Sequence, residues 1–238
     1  MRDEWNGTIG SLVLGLGRLH EEYVELDKRH SPGVPVLHAM KLLRLGGIPT
    51  LTGKRVRAIC DQILHEPTLA AQGKLWDEAL AELDRVQFVF ITPDDTGDTR
   101  LTIRKDDYFR YVVNDYPPAY QRDQHRARLR DVFVALKDGD GLFYLGNGYY
   151  FDEEYSSAIT AYNEAIRLNP EYATAYNNMS VALALSGKFE EALEACNKAL
   201  TIDERLVVGW RLKAAILREL GREDEAQAAE EKARRLEE

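Results

Sequence analysis

Long apolar runs are missing from this 238-residue chain. No stretch approaches the ~18 residues that a membrane-crossing helix needs, so no membrane partner is expected. The apolar segment IGSLVLGLG follows the acidic MRDEW rather than a basic leader. It lacks a small-x-small cleavage site and does not read as a secretion signal. Cysteine is scarce. Cys60 and Cys196 lie far apart on apolar helical faces and read as two buried thiols in a reducing compartment, so the expected location is the cytoplasm. The five histidines, His20, His30, His38, His65 and His125, are scattered. No Cys/His cluster has metal-ligand spacing, and no Ser/His/Asp or Cys/His arrangement stands out. Neither a metal nor a cofactor is expected, nor enzymatic activity. Positive charge is also short. The net charge is −9, of which residues 139–238 carry about −8, an imbalance that points to two modules and repels nucleic acid at long range.

What is present includes a near-match to a phosphate-binding loop, GGIPTLTGKRV from Gly46 to Val56. Such a loop reads G-x-x-x-x-G-K-[ST]. Here five residues separate Gly47 from Gly53, and Arg55 stands where a magnesium-binding hydroxyl belongs. A helical pattern, HAMKLLRL, precedes the glycines where a strand is required. The apolar run QFVFITPDD then enters a turn rather than a parallel sheet. Gly46, Gly47 and Pro49 therefore read as a helix stop and turn, and Lys54, Arg55 and Arg57 as a solvated basic face.

The C-terminal half repeats with a period of 34 residues. Gly146, Ser180 and Ala214 align as small residues, as do Ala158, Ala192 and Ala226, and Ala165, Ala199 and Ala233. Leu142, Tyr176 and Trp210 align as bulky residues, and Leu168, Ile202 and Leu236 as aliphatics. Gly187 and Gly221 mark one turn. Small residues at a helix crossing let two backbones approach closely, with bulky residues filling the space beside them. One helix pair cannot bury both faces, so pairs stack. The expected units are residues 139–172, 173–206 and 207–238.

These positions resemble the tetratricopeptide repeat. Leu142, Leu145, Gly146, Tyr149, Ala158, Tyr162, Ala165 and Pro170 fill the signature of the first unit. The second has Glu204 where proline belongs, and the third has Glu230 where an aromatic belongs. The last helix, GREDEAQAAEEKARRLEE, is polar nearly all round and suits a solvated cap. The resemblance implies a concave groove lined by the first helix of each pair, holding a peptide or partner segment. Phe143, Tyr144, Asn147, Tyr150, Asn177, Asn178, Val181, Arg211, Ala215 and Arg218 fall on that face. One subclass of the family grips the C-terminal carboxylate of chaperones with three cations and two asparagines. The matching positions here hold Phe143, Asn147, Asn178, Val208 and Leu212. Both asparagines are present and all three cations are missing, and neutral amides do not replace charge-assisted contacts. A chaperone tail is not the expected ligand.

The N-terminal half reads differently. Residues 8–30 form one helix with Leu12, Leu16, Leu19, Tyr23 and Leu26 on a stripe. The stripe is either a buried face or a seam that permits a homodimer, and SPGVP stops it. Helices are expected over Val36–Leu45, Lys54–Leu64 and Leu75–Val86. A hairpin follows, with Phe88–Thr92 pairing Arg100–Arg104 around PDDTGD. Then come a short helix over Tyr108–Tyr116, closed by Pro117-Pro118, and a linker helix. Three helices and a hairpin are the layout of a winged helix. The order from NGTIGS to DDYFRYVVNDYPP resembles the region after the nucleotide-binding module of the signal-transduction ATPases with numerous domains.

The chain is thus expected to be mainly α, with an N-terminal helix (1–33), a winged-helix-like domain (34–118), a linker helix (119–138) and a three-repeat α-solenoid (139–238). The expected function is a non-enzymatic adaptor that binds a protein or peptide in the repeat groove. A transcription regulator is the first alternative, with Lys54, Arg55 and Arg57 as the nucleic-acid contacts. DNA is the less favoured partner, because the third helix turns Asp77, Glu78, Glu82 and Asp84 outward against Arg85 alone. The hairpin tip adds Asp94, Asp95 and Asp98. Arg122, Arg126, Arg128 and Arg130 are expected to meet carboxylates of neighbouring helices. A fragment of a signalling ATPase is the second alternative.

Overall fold

The computed structural model describes residues 33–45, 48–49, 51–64, 73–85, 89–93, 98–103 and 119–237. They divide into two compact units, one within Met1–Val132 and one within Phe133–Glu238. The helices expected over residues 8–30 and 108–116 lie outside the described residues.

The first unit runs α1 (Gly33–Leu45), β1 (Leu51–Thr52), α2 (Gly53–Gln62), α3 (Gly73–Arg85), β2 (Val89–Pro93) and β3 (Thr99–Ile103), followed by most of α4 (Ala119–Leu136). α1 starts three residues earlier than Val36. Pro35 falls in its first turn, where the missing N–H has no partner to lose. Its core face is Val36, Met40 and Leu43, all fully buried. α3 repeats the pattern with Trp76, Ala79, Leu80 and Leu83. The three helices and the hairpin stand where the sequence placed them, with β2 and β3 in antiparallel register from Val89↔Ile103 to Pro93↔Thr99.

β1 was not expected. It pairs antiparallel with β3, Leu51 opposite Leu101, and makes a three-stranded sheet of order β1-β3-β2. Two residues are too few to show an alternating pattern, and the strand exists only through pairing far along the chain. Pro93 lies on β2, an edge strand of this sheet, the place a sheet tolerates proline.

The start of α2 answers the phosphate-loop question with a hydrogen bond. The backbone N–H of Lys54 donates to Asp98 Oδ2 at 3.0 Å, and Thr99 N–H donates to Asp98 Oδ1 at 2.7 Å. Thr52 Oγ1 accepts from the N–H of Arg55 at 3.3 Å. The helix N-terminus that follows Gly53 thus holds a carboxylate from the protein itself, where the positive end of the helix dipole favours an anion.

In the second unit the period is visible in the helix boundaries. First helices begin at Gly139 (α5, Gly139–Phe151), Ala173 (α7, Ala173–Leu185) and Val207 (α9, Val207–Glu219). Second helices begin at Tyr155 (α6, Tyr155–Leu168), Phe189 (α8, Phe189–Ile202) and Glu223 (α10, Glu223–Glu237). Every helix starts 34 residues after its counterpart. α10 buries Ala226, Ala229 and Ala233 and exposes most of its surface.

The crossing in each pair solves one packing problem in three ways. A Cβ at Gly146 would stand 2.5 Å from Tyr162 Cε1, so only glycine fits beside that ring. One period on, Ser180 faces the smaller Cys196, and its hydroxyl donates to Ala192 O at 2.7 Å. One further, Ala214 holds the small position and Glu230 stands where Tyr162 and Cys196 stood, its carboxylate reaching Arg218 at 3.3 Å. Glu204, at the missing proline, also has a structural role. Its carbonyl accepts from Trp210 Nε1 at 2.8 Å, and its carboxylate meets Lys232 at 2.7 Å.

Glycine closes α7 and α9. Gly187 (φ 76°) and Gly221 (φ 72°) are left-handed. Lys188 N–H donates back to Leu183 O, and Arg222 N–H to Leu217 O, the pattern of a helix C-terminus. At the end of α5 the same turn uses Glu153 at φ 63°, with Glu154 N–H donating to Tyr149 O. The acids Asp152 and Glu153 therefore close α5 rather than open α6, and only Glu154 caps the following helix. A left-handed glutamate costs backbone energy that glycine avoids. Glu153→Gly is expected to raise stability by about 0.5–1 kcal/mol, read as a higher urea midpoint. An unchanged or lower midpoint would show the turn to be unstrained.

Candidate functional site

The ten residues expected on the groove do not act as one surface. Four of them converge. Asn147 and Tyr150 from α5, with Asn178 and Val181 from α7, line a pocket of about 200 Å³. Phe151 and Tyr162 complete it. Tyr162 had been read as a core position, and it is that as well as the floor of the pocket, being 1% exposed. Phe151 was missed. It is 79% exposed at the end of α5, against the Tyr150 ring at 5.6 Å between centroids. The signal for it was a large aromatic at the last position of a groove-lining helix.

Helical spacing puts Asn147 and Tyr150 together. They are three residues apart on α5, and Asn178 and Val181 repeat the interval on α7. Tyr162 reaches the same point from α6 because Gly146 offers no side chain to block its ring.

The polar groups form a directed chain. Tyr162 donates its hydroxyl hydrogen to Asn147 Oδ1 at 2.8 Å. Asn178 Nδ2 donates to the same oxygen at 3.0 Å. Asn177 Nδ2 in turn donates to Asn178 Oδ1 at 3.4 Å. Burial is the main reason the Tyr162 hydroxyl titrates well above the ordinary tyrosine range; its bond to Asn178 opposes this and nearby Tyr150 adds to it. Tyr162 therefore stays a neutral donor at any physiological pH. Asn147 has both sites on its oxygen used, so its remaining capacity is the N–H donors of Nδ2.

The other expected groove residues sit elsewhere. Phe143 is buried, 7% exposed, with its ring 5.0 Å from Tyr172 and 6.0 Å from Tyr162 between centroids. Tyr144 packs edge-on against it. Asn177 is buried, and its own Oδ1 has no hydrogen-bond partner. Arg211 is 2.7 Å from Glu237, and Arg218 is 3.3 Å from Glu230 and 4.0 Å from Glu223. Both arginines turn toward α10 of their own repeat rather than the pocket. Ala215 is exposed on α9.

The basic triplet of α2 also separates. Lys54 is exposed, but Arg55 is buried, not solvated as expected. Arg57 stacks its guanidinium over the Trp76 ring at 4.6 Å. Arg128 donates to the Ile63 carbonyl at 2.9 Å, and Arg130 meets Asp131 of its own helix at 3.4 Å. Neither arginine uses a carboxylate from a neighbouring helix in these bonds. Arg126 is buried, and the side chain of Arg122 lies outside the described residues.

Both cysteines are buried, and neither forms a disulfide. Cys196 donates to Gly209 O at 3.2 Å, and burial pushes its thiol up to about 11. It stays protonated at neutral pH, as a packing thiol does. Among the described residues no helix is long and apolar enough to cross a membrane.

Comparison with known proteins matches residues 144–205 to the tetratricopeptide repeat family. The repeats are tetratricopeptide repeats. Stress-induced-phosphoprotein 1 of Caenorhabditis elegans is 33% identical over 94 residues, covering 35% of this chain and 29% of that protein. Serine/threonine-protein phosphatase 5 of Homo sapiens is 33% identical over 88 residues, covering 37% of this chain and 18% of that protein. The chain thus spans less than a third of the length of either relative. A solved structure of the TPR2B domain of yeast Sti1, in complex with an Hsp70 peptide, is 30% identical. It covers 42% of this chain and 80% of that one, with a TM-score of 0.41.

Proposed function

We propose that the chain is a non-catalytic interaction protein whose tetratricopeptide repeats hold an extended peptide segment between α5 and α7. The pocket at Asn147, Tyr150, Tyr162 and Asn178 carries this reading. It is concave and aromatic, with a fixed set of polar atoms. At about 200 Å³ it is smaller than the ~300–1,000 Å³ of a small-molecule site. It suits one or two side chains of a longer chain.

A chaperone tail is not the proposed occupant, although the yeast relative binds an Hsp70 peptide. Phe143, at a clamp cation position, is buried. Val208, at another, is an exposed aliphatic, and the third is Leu212. The first unit we read as a winged-helix-like module for protein contact. Asp77 and Glu78 are exposed on α3, and carboxylates there oppose phosphate contact. The burial of Arg55 leaves fewer cations for DNA.

Selection of a random peptide library on the intact protein tests the groove. Val181→Glu places a charge in the pocket and is expected to abolish binding of the selected peptides. Arg211→Ala and Arg218→Ala are expected to leave it within about twofold, because both side chains already serve exposed pairs of small worth. Peptides that survive Val181→Glu would refute the groove assignment.

A further inference from the structure

The unspent hydrogen-bond capacity of the pocket is of both kinds. The Asn147 oxygen is taken twice, by Tyr162 and Asn178, which leaves Asn147 the two N–H donors of its Nδ2. Asn178 spends one of its own N–H groups on that bond, and its oxygen receives Asn177 at 3.4 Å. A second site on the Asn178 oxygen is left to accept. The Tyr150 hydroxyl both donates and accepts. Around these groups stand the rings of Tyr150, Phe151 and Tyr162 and the Val181 side chain. Among the described residues no charged side chain lines the pocket.

The spare donor and the spare acceptor sit on two amides, one on α5 and one on α7, joined to each other by a hydrogen bond of 3.0 Å. A group that meets both needs an acceptor for Asn147 and a donor for Asn178, side by side. The trans peptide unit of a main chain turns its C=O and N–H to opposite edges. A hydroxyl holds both functions on one atom. A carboxylate only accepts and an ammonium only donates, and either would lose water without gaining a counter-charge. A primary carboxamide carries its oxygen and an N–H on one planar edge. With that edge Asn and Gln pair the neighbouring donor and acceptor of adenine. Glutamine adds two methylenes that cross the aromatic rim and rest against the rings in dispersion contact. A pocket of about 200 Å³ admits one such side chain.

We infer that the α5–α7 pocket takes the side-chain carboxamide of a glutamine in the partner segment. The glutamine oxygen accepts from Asn147 Nδ2, its N–H donates to Asn178 Oδ1, and its methylenes lie against Tyr150 and Phe151. This rests on the groove reading above and specifies the side chain that the pocket selects.

The test starts from the peptides that a random library yields on the intact protein. They are expected to share a glutamine at one position. Titration calorimetry then compares one such peptide with two derivatives. In one the glutamine becomes glutamate, of the same shape but charged and without a donor. In the other it becomes methionine, an apolar side chain of similar length. Both are expected to bind at least about tenfold more weakly, the scale of a lost hydrogen bond that leaves its partners unpaired. Phe151→Ala is expected to weaken the parent peptide about tenfold, as loss of an aromatic anchor does. Phe151 is exposed, so its removal leaves the fold intact, which circular dichroism of the variant checks. Binding that is indifferent to Phe151→Ala would overturn the proposal. If the selected peptides are lost with Val181→Glu yet share no glutamine, or if either derivative binds as tightly as its parent, the groove reading stands and the carboxamide assignment falls. If no peptide is selected, or those selected survive Val181→Glu, both fall.

Discussion

Replacing Gly146 with serine will destabilise the protein by about 3 kcal/mol, and replacing Tyr162 with cysteine at the same time will recover much of that loss. The reason is a Cβ that would stand 2.5 Å from the Tyr162 ring. The ring is 1% exposed, is held by the bond from its hydroxyl to Asn147, and can give way only toward the pocket it floors. Helix α6 would have to shift, or the ring leave its well, and either displaces the hydroxyl that anchors the pocket. Tyr162→Cys alone leaves a void and takes one of its two donors from the Asn147 oxygen, at a cost of about 3 kcal/mol. Together the two changes rebuild the Ser180–Cys196 pair of the next repeat, where the serine hydroxyl finds Ala192 O at 2.7 Å. Thermal or urea unfolding of the four proteins gives the coupling. We expect the double variant to lose at least about 2 kcal/mol less than the sum of the single losses. Additive losses would show that the repeats do not share one crossing geometry.

The second large effect is at Asn147. Asn147→Ala removes the acceptor of two hydrogen bonds and strands the buried Tyr162 hydroxyl. An unsatisfied buried donor costs about 1–3 kcal/mol, so a loss near 2 kcal/mol is expected. Asn147→Asp keeps oxygens that accept from both Tyr162 and Asn178 and should lose less than half as much. It also removes the amide donors, so a selected peptide should bind at least about tenfold more weakly, through loss of a hydrogen bond and a new negative charge. Equal destabilisation by the two variants would mean that the oxygen is not what holds the network. Undiminished binding by Asn147→Asp would mean that the donors do not face the ligand.

The repeat half was legible in the sequence because its packing is periodic. Small residues such as Gly146, Ser180 and Ala214 recur wherever two helices cross, so the period records contacts as well as helix propensity. Every helix start there follows the 34-residue step. In the first unit, residue order showed the helices and the hairpin but not β1. A two-residue strand carries no pattern of its own, and its partner lies some fifty residues away. Arg55 was misread for a related reason. A charge on a helix reads as solvated until the elements packed against that helix are known.

The candidate site was legible in part. Asn147, Tyr150, Asn178 and Val181 followed from their positions on the first helices. Arg211 and Arg218 were placed on the right helix, yet their partners Glu237 and Glu230 come from α10, and charge pairs across helices leave no local signal. Phe143 lies on the groove-facing helix but is held inward by Tyr162 and Tyr172. Reading the groove required knowing which aromatic sinks and which, like Phe151, stays out.

The most direct test of the account is to titrate a library-selected peptide into isotope-labelled protein and follow the side-chain amide signals of asparagine. The account predicts that the Asn147 and Asn178 pairs move together and saturate with the peptide, while the signals of Asn163 and Asn197 on the second helices stay still. Saturable binding that leaves Asn147 and Asn178 unmoved would contradict it, and would place the interaction surface of this protein away from the α5–α7 pocket.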